Sequence, residues 1–370
     1  MAILPLKPLK IAMVAPLCEA TPPKLYGGTE RVVANLTDAL VGLGHQVTLF
    51  ASGDSVTNAK LATGRAQAIR LDPAPLKSEP AAHFSMLFDL AAEVHKYDVL
   101  HFHTDLWHLP FFQHVASRSL TTLHGRLDIK DLSPFYARFS AYPLVSISNN
   151  QRAPMPDANW FATVHHGLPV HIYPFTAHPL GGYLAFLGRI SPEKRPDRAI
   201  ALAKASGIPL KIAAKVDAAD RAYFETEIKP LLDDPLIEFI GEISDAEKGA
   251  FLGNALALLF PIDWPEPFGL VMIEAMACGT PVIAFRCGSV PEVLSDGVSG
   301  RIVTSEAEAL EAIRGLSWLD RRAVRGEFEQ RFTSLVMARN YQRLYYELIG
   351  VRTDGPNLDA AASGSLKKLG

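Results

Sequence analysis

The stretch TERVVANLTDALVGLGHQVTLFA, residues 29–51, changes from a helical to a strand-like hydrophobic period within a few residues. Its apolar residues first recur at spacings of three and four, as in an amphipathic helix, for which we predict Thr29 as the N-cap and Gly44 as the C-cap. QVTLFA (46–51) then has the composition of a strand, and LKIAMVA (9–15) is a continuous apolar run typical of a strand buried on both faces. A strand, helix, strand unit joins parallel strands, so this stretch predicts a parallel α/β sheet.

The same alternation continues along the first half of the chain and restarts near residue 181. A break falls at 168–180, where prolines and histidines replace any periodic pattern. Helices are predicted at PDRAIALAKASG and around 218–231. Further strands are predicted, in chain order, at YDVLHFH, LTTLH, PLVSIS, GGYLAFLGR, LKIAAK, LIEFIG, ALALLF and PVIAF. Two doubly wound parallel sheets account for this order.

These patterns divide the chain into four segments. Residues 1–172 are expected to form one Rossmann-like domain and residues 173–330 a second. The segment 331–350 has helical periodicity, and we expect its helix to cross back onto the first domain. The tail at 351–370 is polar with Gly and Ser, which predicts disorder.

The overall composition excludes several classes of protein. A chain of 370 residues with 48% hydrophobic residues is too long for one ordinary core, which agrees with two domains. A net charge of −3 lacks the basic surface that nucleic acid requires. The cysteines at 18, 278 and 287 match neither a disulfide framework nor a zinc pattern. Lys7 and Lys10 interrupt the apolar N-terminus, so we expect a cytoplasmic protein without an integral membrane segment.

The stretch EPFGLVMIE, residues 266–274, covers the predicted start of a helix between two strands. The helix is expected to begin at 268–270, so the backbone N–H groups of Phe268, Gly269 and Leu270 lack intrahelical partners. They lie after a parallel strand, where open α/β sheets bind anionic ligands. Gly269 would allow a ligand to approach the backbone closely. This turn is therefore a candidate phosphate site.

Two glutamates flank that turn. Glu266 precedes it, and Glu274 lies inside an otherwise apolar helix, where a carboxylate needs a partner. One interpretation of Glu274 is a buried ion pair or a solvent-facing position. The other is that Glu274 accepts hydrogen bonds from a ribose diol and Glu266 from sugar hydroxyls, because carboxylates are pure acceptors.

A pyrophosphate at this turn would also need cations. LGRISPEKRPD places Arg189 and Lys194 in the turn after the first strand of the second half. Arg offers a planar fork and Lys a point charge, although both could equally be solvated loop charges. In the first half, Gly28 directly precedes a helix and could bring its backbone N–H to a phosphate or sugar. Paired glycines in a loop also serve chain geometry alone.

Histidines are frequent between residues 101 and 124. His101 and His103 point to the same face of a strand, but no third ligand is placed by spacing, so we predict no metal site. His124, at the carboxyl end of a predicted strand, is better placed for a functional site.

Together these segments resemble the retaining glycosyltransferases of family 4, which have the two-domain GT-B fold. The resemblance covers about residues 9–350 and is carried by YGGTERVVANLTDALVGLGHQVTLFA, FLGRISPEKRPDRAI and PEPFGLVMIEAMACGTPVIAFRCGSVPEVLSDGVSG. It implies two Rossmann-like domains that face each other across a cleft, with the acceptor on the side of the first. A nucleotide-diphosphate sugar would bind mainly to the second domain, and no metal ion or other cofactor would be required.

The resemblance also implies roles for the donor-side residues. Glu274 would hold the ribose and Glu266 the sugar hydroxyls. Arg189 and Lys194 would neutralise the pyrophosphate, and the backbone at 268–270 would contact phosphate and sugar.

From the first domain, His124 would lie beside the transferred sugar and Gly28 near the phosphate. Retention is described in this family as same-face attack, in which the departing phosphate helps to take the acceptor proton. Catalysis would then rest on charge and positioning, with His124, Glu266, Arg189 and Lys194 as its residues. Where many relatives have Gly after the lysine, this chain has Arg195, which leaves the conformation of that loop open.

The substrates are only partly indicated. UDP-glucose is the first expected donor and GDP-mannose the second, with a small-molecule, glycan or lipid-linked acceptor. The N-terminal pattern is also similar to glucosyltransferases that act on a reduced pterin. The alternatives are a sugar-nucleotide epimerase, a phosphorylase, for which no pyridoxal lysine is identified, or a sugar-nucleotide-binding protein without catalysis.

Overall fold

The computed structural model describes residues 7–24 and 27–351, which form two α/β domains with one sheet each. The first domain contains β1 (Lys10–Val14), β2 (Gln46–Ser52), β3 (Lys60–Arg65), β4 (Val99–Phe102), β5 (Ser119–Thr122), β6 (Leu144–Ser146) and β7 (Trp160–Thr163). These strands are all parallel and lie in the order β3-β2-β1-β4-β5-β6-β7.

The second domain repeats this arrangement with six strands. They are β8 (Leu184–Arg189), β9 (Leu210–Lys215), β10 (Ile237–Gly241), β11 (Ala257–Phe260), β12 (Val282–Phe285) and β13 (Gly300–Val303). Their order is β10-β9-β8-β11-β12-β13, again with every pair parallel. The prediction of two doubly wound parallel sheets is confirmed.

Helices connect the strands of both sheets. They are α1 (Gly28–Gly42), α2 (Glu79–Glu93), α3 (Leu132–Arg138), α4 (Pro196–Ser206), α5 (Arg221–Tyr223), α6 (Asp245–Gly253), α7 (Leu270–Ala277), α8 (Val290–Val293), α9 (Glu306–Arg314), α10 (Arg321–Arg331) and α11 (Ser334–Leu348). In each sheet the strand order reverses beside the first strand, between β1 and β4 and between β8 and β11. Ligands of open α/β sheets bind at the carboxyl ends of strands at such a reversal.

Some local predictions were wrong. Helix α1 begins at Gly28, with Gly27 rather than Thr29 at the N-cap position, and its C-cap is Leu43. Gly44 follows that residue at φ +91°, a left-handed conformation that ends the helix at little cost because glycine has no Cβ. The charged helix expected at 218–231 is divided into short 3₁₀, α and π turns.

Sequence patterns also missed the two edge strands of the first sheet. KLATGR (β3) contains a glycine and lacks an apolar run, and WFAT (β7) is only partly buried along its length. An edge strand needs less apolar surface than a central one, because part of it stays solvated. Periodicity in the sequence therefore detects it poorly.

The C-terminal helix α11 packs against the first domain. Its apolar face joins the core formed by β1, β2 and α1. The Tyr345 hydroxyl lies 2.7 Å from His101 Nδ1, and the Tyr341 hydroxyl lies 2.9 Å from Thr122 Oγ1. The chain thus passes from the first domain to the second and returns. The predicted disorder of the tail concerns residues that, after Val351, lie outside the described part of the chain.

Several histidines are buried on the first-domain side. Burial lowers the pKa of each, so each is neutral well below the usual titration range; they are His101, His103, His108, His124 and His166. An unfolded chain would protonate them near their ordinary pKa of about 6.5. The contribution to stability is therefore complete above that pH and declines as the pH falls below it.

His108 provides a test of this linkage. Its ring stacks on Phe102 with centroids 3.9 Å apart, its Nε2 lies 2.8 Å from Thr121 Oγ1, and burial lowers its pKa to about 3. We expect the free energy of unfolding of the wild type to fall from pH 7 to pH 5. His108→Gln should make that fall shallower by up to about 1.4 kcal/mol per pH unit. Urea denaturation at several pH values measures the slope.

His114→Gln is the matched control, because His114 is exposed and its loss should leave the slope unchanged. Equal slopes in wild type and His108→Gln would show that His108 does not resist protonation in the native state.

Candidate active site

A cavity of about 510 Å³ lies between the two domains, at the carboxyl ends of strands from both sheets. Its lining comes from the segments after β1, β4 and β5 in the first domain and after β8, β9 and β11 in the second. All nine residues selected from the sequence line it, namely Gly28, His124, Arg189, Lys194, Glu266, Phe268, Gly269, Leu270 and Glu274. The structure therefore brings the nine together; their individual roles stay predictions.

The start of α7 forms one wall of the cavity. Gly269 precedes the helix at φ +81°, and the Phe268 carbonyl accepts a hydrogen bond from Ser289 Oγ at 2.8 Å. The first N–H groups of a helix lack intrahelical acceptors and attract anions. A Cβ placed on Gly28 would lie 3.6 Å from Leu270 Cδ1, so the start of α1 directly faces the start of α7.

Lys194 and Glu266 form an ion pair beside this turn. Glu266 Oε2 accepts a short hydrogen bond from Lys194 Nζ and one of 2.9 Å from Trp264 Nε1. The ammonium also lies 5.7 Å from the ring centre of Trp264 and 6.0 Å from that of Phe260. With side chains only 16% and 14% exposed, the pair is fixed in the wall and is not a pair of solvated loop charges.

Glu274 fits both interpretations left open by the sequence. It is 1% exposed, and its Oε1 accepts hydrogen bonds from the Tyr173 hydroxyl and from Lys248 Nζ, each at 2.9 Å. Burial opposes its ionisation, but the charges of Lys248 and Arg31 outweigh burial and hold the pKa of Glu274 below its ordinary value. Its Oε2 is buried without a hydrogen-bond partner among residues 7–24 and 27–351. A buried ion pair thus coexists with an oxygen available to a ligand.

Arg189 lies among carboxylates at the end of β8. Its guanidinium nitrogens lie 3.2 Å from Glu193, 3.4 Å from Asp217 and 3.6 Å from Asp220. This cation is thus neutralised by the protein itself, and a bound phosphate would have to replace some of these partners.

Arg195 follows Lys194 in a left-handed conformation at φ +53°. This is a conformation that glycine adopts freely and that other residues rarely adopt. Its guanidinium donates to Asp197 at 2.8 Å and to Asp263 at 2.9 Å. The loop therefore keeps a glycine-like backbone, and the two ion pairs help to stabilise it.

His124 belongs to a stack of imidazoles on the first-domain wall. Its Nε2 lies 2.7 Å from His103 Nδ1, and its ring stacks on that of His166 with centroids 5.2 Å apart. Burial lowers the pKa of His124 to about 3, so its ring is neutral near pH 7. In the part of the chain that the structure describes, no group of three or more His, Cys, Asp or Glu side chains is placed to hold a metal ion.

Two contacts join the domains next to the cavity. Glu292, on α8, accepts hydrogen bonds from the backbone N–H groups of Asn149 and Asn150, both at 2.7 Å. Arg31, on α1, forms a close ion pair with Asp245 at the start of α6. Each contact combines a residue of one domain with a residue of the other, so together they hold the walls of the cavity in position.

Several residues of this site were not among those predicted from the sequence. Tyr173 and Lys248 hold Glu274, and Gly288 supports the loop that carries Glu266. Gly288 follows a predicted strand, at the edge of the sheet where ligands bind, and this position could have indicated it from the sequence. Tyr173 and Lys248 belong to no recognisable motif, and only the folded chain places them beside Glu274.

Comparisons with known proteins agree with this arrangement. The family model described as "Glycosyltransferase Family 4" matches residues 26–206, and the one described as "Glycosyl transferases group 1" matches residues 181–325. AviGT4, a glycosyltransferase involved in avilamycin A biosynthesis, is 26% identical; the match covers 93% of this chain and 99% of AviGT4, with a TM-score of 0.69. The chain is a family 4-like glycosyltransferase with the GT-B fold, as the motifs indicate.

Two other similarities are limited, the first in the length of the match and the second in sequence identity. A D-inositol 3-phosphate glycosyltransferase of Mycobacterium marinum is 35% identical over 133 residues, which are 33% of this chain and 27% of that protein. The chain therefore matches about a quarter of that curated relative's length. Sucrose-phosphate synthase from Thermosynechococcus elongatus is 19% identical, and the match covers 92% of this chain and 99% of the synthase with a TM-score of 0.74. That similarity shows the fold alone.

None of the helices described here combines the length and the apolar composition needed to cross a membrane.

Gly288 offers a test of how the Glu266 loop is supported. A Cβ on Gly288 would lie 2.3 Å from the backbone nitrogen and 2.5 Å from the carbonyl oxygen of Glu266. Gly288→Ala should therefore displace the loop and abolish the nucleotide binding that we expect of the wild type in calorimetric titrations with UDP and GDP.

Gly182→Ala is the matched control. Gly182 also has a left-handed backbone, at φ +62° against +56° for Gly288, but no heavy atom of the described residues lies within 4 Å of its added Cβ. Both variants carry a backbone cost of about 1–2 kcal/mol, so their melting temperatures should fall similarly from that cause alone. Unchanged nucleotide binding by a folded Gly288→Ala variant would contradict the proposed support.

Proposed function

We propose that the protein is a retaining hexosyltransferase that moves a hexose from a nucleotide-diphosphate sugar to a hydroxyl group of an acceptor. The observation that carries the proposal is that one wall of the cavity combines the N-terminus of α7 with the cations Arg189 and Lys194 and the carboxylates Glu266 and Glu274. A diphosphate complements the first two features, and the hydroxyl groups of ribose and hexose complement the carboxylates. UDP-glucose is the first donor to test and GDP-mannose the second.

On the donor side, the pyrophosphate would lie against the start of α7, with Arg189 and Lys194 as its cations. Both cations are paired with carboxylates in this structure. On donor binding, Arg189 and Lys194 would therefore exchange protein carboxylates for phosphate oxygens. Neither cation would be left without an anionic partner. The oxygen of Glu274 that has no described partner would accept hydrogen bonds from the ribose diol.

In the transfer step, the bond between the anomeric carbon and the phosphate oxygen breaks, and its electron pair stays on the phosphate. A bond from the acceptor oxygen to the anomeric carbon forms on the same face, and the acceptor proton passes to a phosphate oxygen. Arg189 and Lys194 would stabilise the charge that develops on the leaving group. His124, which is neutral, can hydrogen-bond a sugar hydroxyl without adding a positive charge beside the anomeric carbon.

Named similarities support the choice of substrates. The structure of HepE from Anabaena with UDP-glucose has the same fold, with 15% identity over 92% of this chain and all of HepE and a TM-score of 0.67. The curated relatives named for D-inositol 3-phosphate transfer sugar to a polyol derivative. UDP-glucose and a hydroxyl acceptor are therefore reasonable first substrates for this chain.

A first test of this proposed function concerns Arg189. Arg189→Ala removes a cation from the leaving group, and turnover should fall by about 100- to 1,000-fold, in the range seen when one charge-stabilising donor is removed. Release of UDP or GDP from the sugar nucleotide in the presence of acceptors, with EDTA present, measures it. Because protein cations supply the countercharge in this proposal, EDTA itself should not reduce the wild-type rate.

Arg301→Ala is the control for loss of a positive charge. Arg301 lies on β13 in a half-exposed pair with Asp296 at 3.3 Å, outside the cavity, and its removal should leave turnover unchanged. Near-normal turnover in Arg189→Ala would remove Arg189 from the site. Release of a free epimerised sugar nucleotide, without a glycosylated product, would replace the transferase proposal by an epimerase.

A second prediction separates the two oxygens of Glu274. Calorimetric titration with UDP, GDP, UDP-glucose and GDP-mannose should show binding of one nucleotide class by the wild type and at least a tenfold loss in Glu274→Ala, about the worth of one charged hydrogen bond. Tyr173→Phe is the paired control, because it removes a contact to Oε1 and leaves Oε2 in place. Equal loss in both variants, or no loss in folded Glu274→Ala, would mean that Glu274 serves only the fold.

A further inference from the structure

The two halves of the cavity differ in charge. The second-domain half is lined by four cations and three carboxylates, namely Arg189, Lys194, Lys215, Lys248, Glu242, Glu266 and Glu274. The first-domain half is lined by two arginines, Arg31 and Arg70, and by the carboxylates of Glu30, Glu79 and Asp105. Within residues 7–24 and 27–351, none of these three carboxylates lies in an ion pair with a cation. Carboxylates thus outnumber cations in the first-domain half, opposite the proposed site of the donor phosphates, whereas cations outnumber carboxylates in the second-domain half.

The cations of the first-domain half are already engaged. The Arg70 guanidinium lies 3.0 Å from Glu19 Oε1, and Arg31 pairs with Asp245. Each arginine is thus paired with a carboxylate other than those of Glu30, Glu79 and Asp105. A phosphate group placed in this half would approach three carboxylates, while both arginines are already paired with other carboxylates. Like-charge repulsion therefore disfavours a phosphate here.

Asp105 is the most unusual residue of this half. It follows β4 at φ +46°, a left-handed conformation that a residue other than glycine adopts at a cost, and such conformations concentrate at functional sites. Its side chain is exposed toward the cavity and has no hydrogen bond to any described residue. Burial of the carboxyl group by the cavity walls raises its pKa to about 6, so near neutral pH it is predominantly a carboxylate.

Two buried imidazoles that line the same cavity as Asp105 point independently to a ligand. His166 is 4% exposed, lines the same cavity and has a buried Nδ1 without a hydrogen-bond partner among the described residues. The Nδ1 of His124 is likewise buried and without a described partner. A buried polar atom without a partner is costly in a folded protein, and a bound hydroxyl or amino group would satisfy it.

We propose that the first-domain half of the cavity is an acceptor subsite for an uncharged or amino-bearing polyhydroxy molecule without a phosphate, held by Asp105. Carboxylates and imidazole nitrogens accept hydrogen bonds from O–H and N–H groups, and the acidic wall attracts a protonated amine. This inference rests on the proposed function, whose donor half it leaves unchanged. It differs from the phosphorylated acceptor after which the matched mycobacterial relatives are named, and their match covers only about a third of this chain.

The test uses glucose, glucosamine and glucose 6-phosphate as probes. Saturation-transfer NMR on the whole chain, with saturating UDP or GDP to occupy the donor phosphate site, ranks their binding without requiring turnover. We expect glucosamine and glucose to bind at least about tenfold more tightly than glucose 6-phosphate, as one net like-charge contact at a partly exposed site implies. Asp105→Asn should reduce the preference for glucosamine over glucose 6-phosphate by about tenfold and leave nucleotide binding unchanged.

Asp131→Asn is the matched control, since Asp131 is an exposed aspartate of the same domain outside the cavity, and its loss should not change the preference. Equal or tighter binding of glucose 6-phosphate to the wild type would overturn the inference. So would an unchanged preference in Asp105→Asn, or the absence of binding by all three probes to protein that binds nucleotide; both leave the proposed function standing. A wild type that binds neither nucleotide overturns the proposed function and this inference with it.

Discussion

The ion pair of Lys194 and Glu266 is the interaction on which the candidate site depends. It joins the turn after β8 to the loop before α7, the two segments that flank the reversal of strand order in the second sheet. Both side chains are largely buried and are supported by the Trp264 indole N–H and ring. Breaking such a pair would leave a charge without a partner in a poorly solvated place. A ligand that enters here must therefore offer an anionic group to Lys194 and hydrogen-bond donors to Glu266, as the phosphate and hydroxyl groups of a sugar phosphate do.

The contacts between the domains give the cavity its second wall. Glu292 holds the backbone of the first domain through two N–H groups, and Arg31 reaches Asp245 across the cleft. Asp245 also lies 3.1 Å from Lys248, which in turn holds Glu274. A chain of charged contacts thus runs from the first-domain helix α1 to the candidate ribose ligand. Binding at Glu274 and the relative position of the domains are consequently linked by direct contacts.

The electrostatic asymmetry of the cavity fits a reaction between two different substrates. Cations outnumber carboxylates on the wall where a diphosphate would lie, and carboxylates outnumber cations on the opposite wall, which also carries the neutral imidazole of His124. A histidine that burial keeps neutral can donate or accept a hydrogen bond, but it does not attract an anion as a charged imidazolium would. This arrangement fits the proposed binding of the donor phosphates and the acceptor in opposite halves of one cavity.

The sequence by itself determined the sheet type and the residues of the candidate phosphate-binding turn, because both are encoded locally. Alternating apolar strands and amphipathic helices require parallel pairing, and Glu266, Gly269 and Glu274 are placed by their spacing along one loop and helix. Only the tertiary structure decided that Lys248 and Tyr173 hold one oxygen of Glu274, that carboxylates surround Arg189, and that Asp105 lines the same cavity. These partners come from distant segments, and a long-range contact between charged groups leaves no periodic trace in the chain. Which residues meet across the cleft is set by the packing of whole domains.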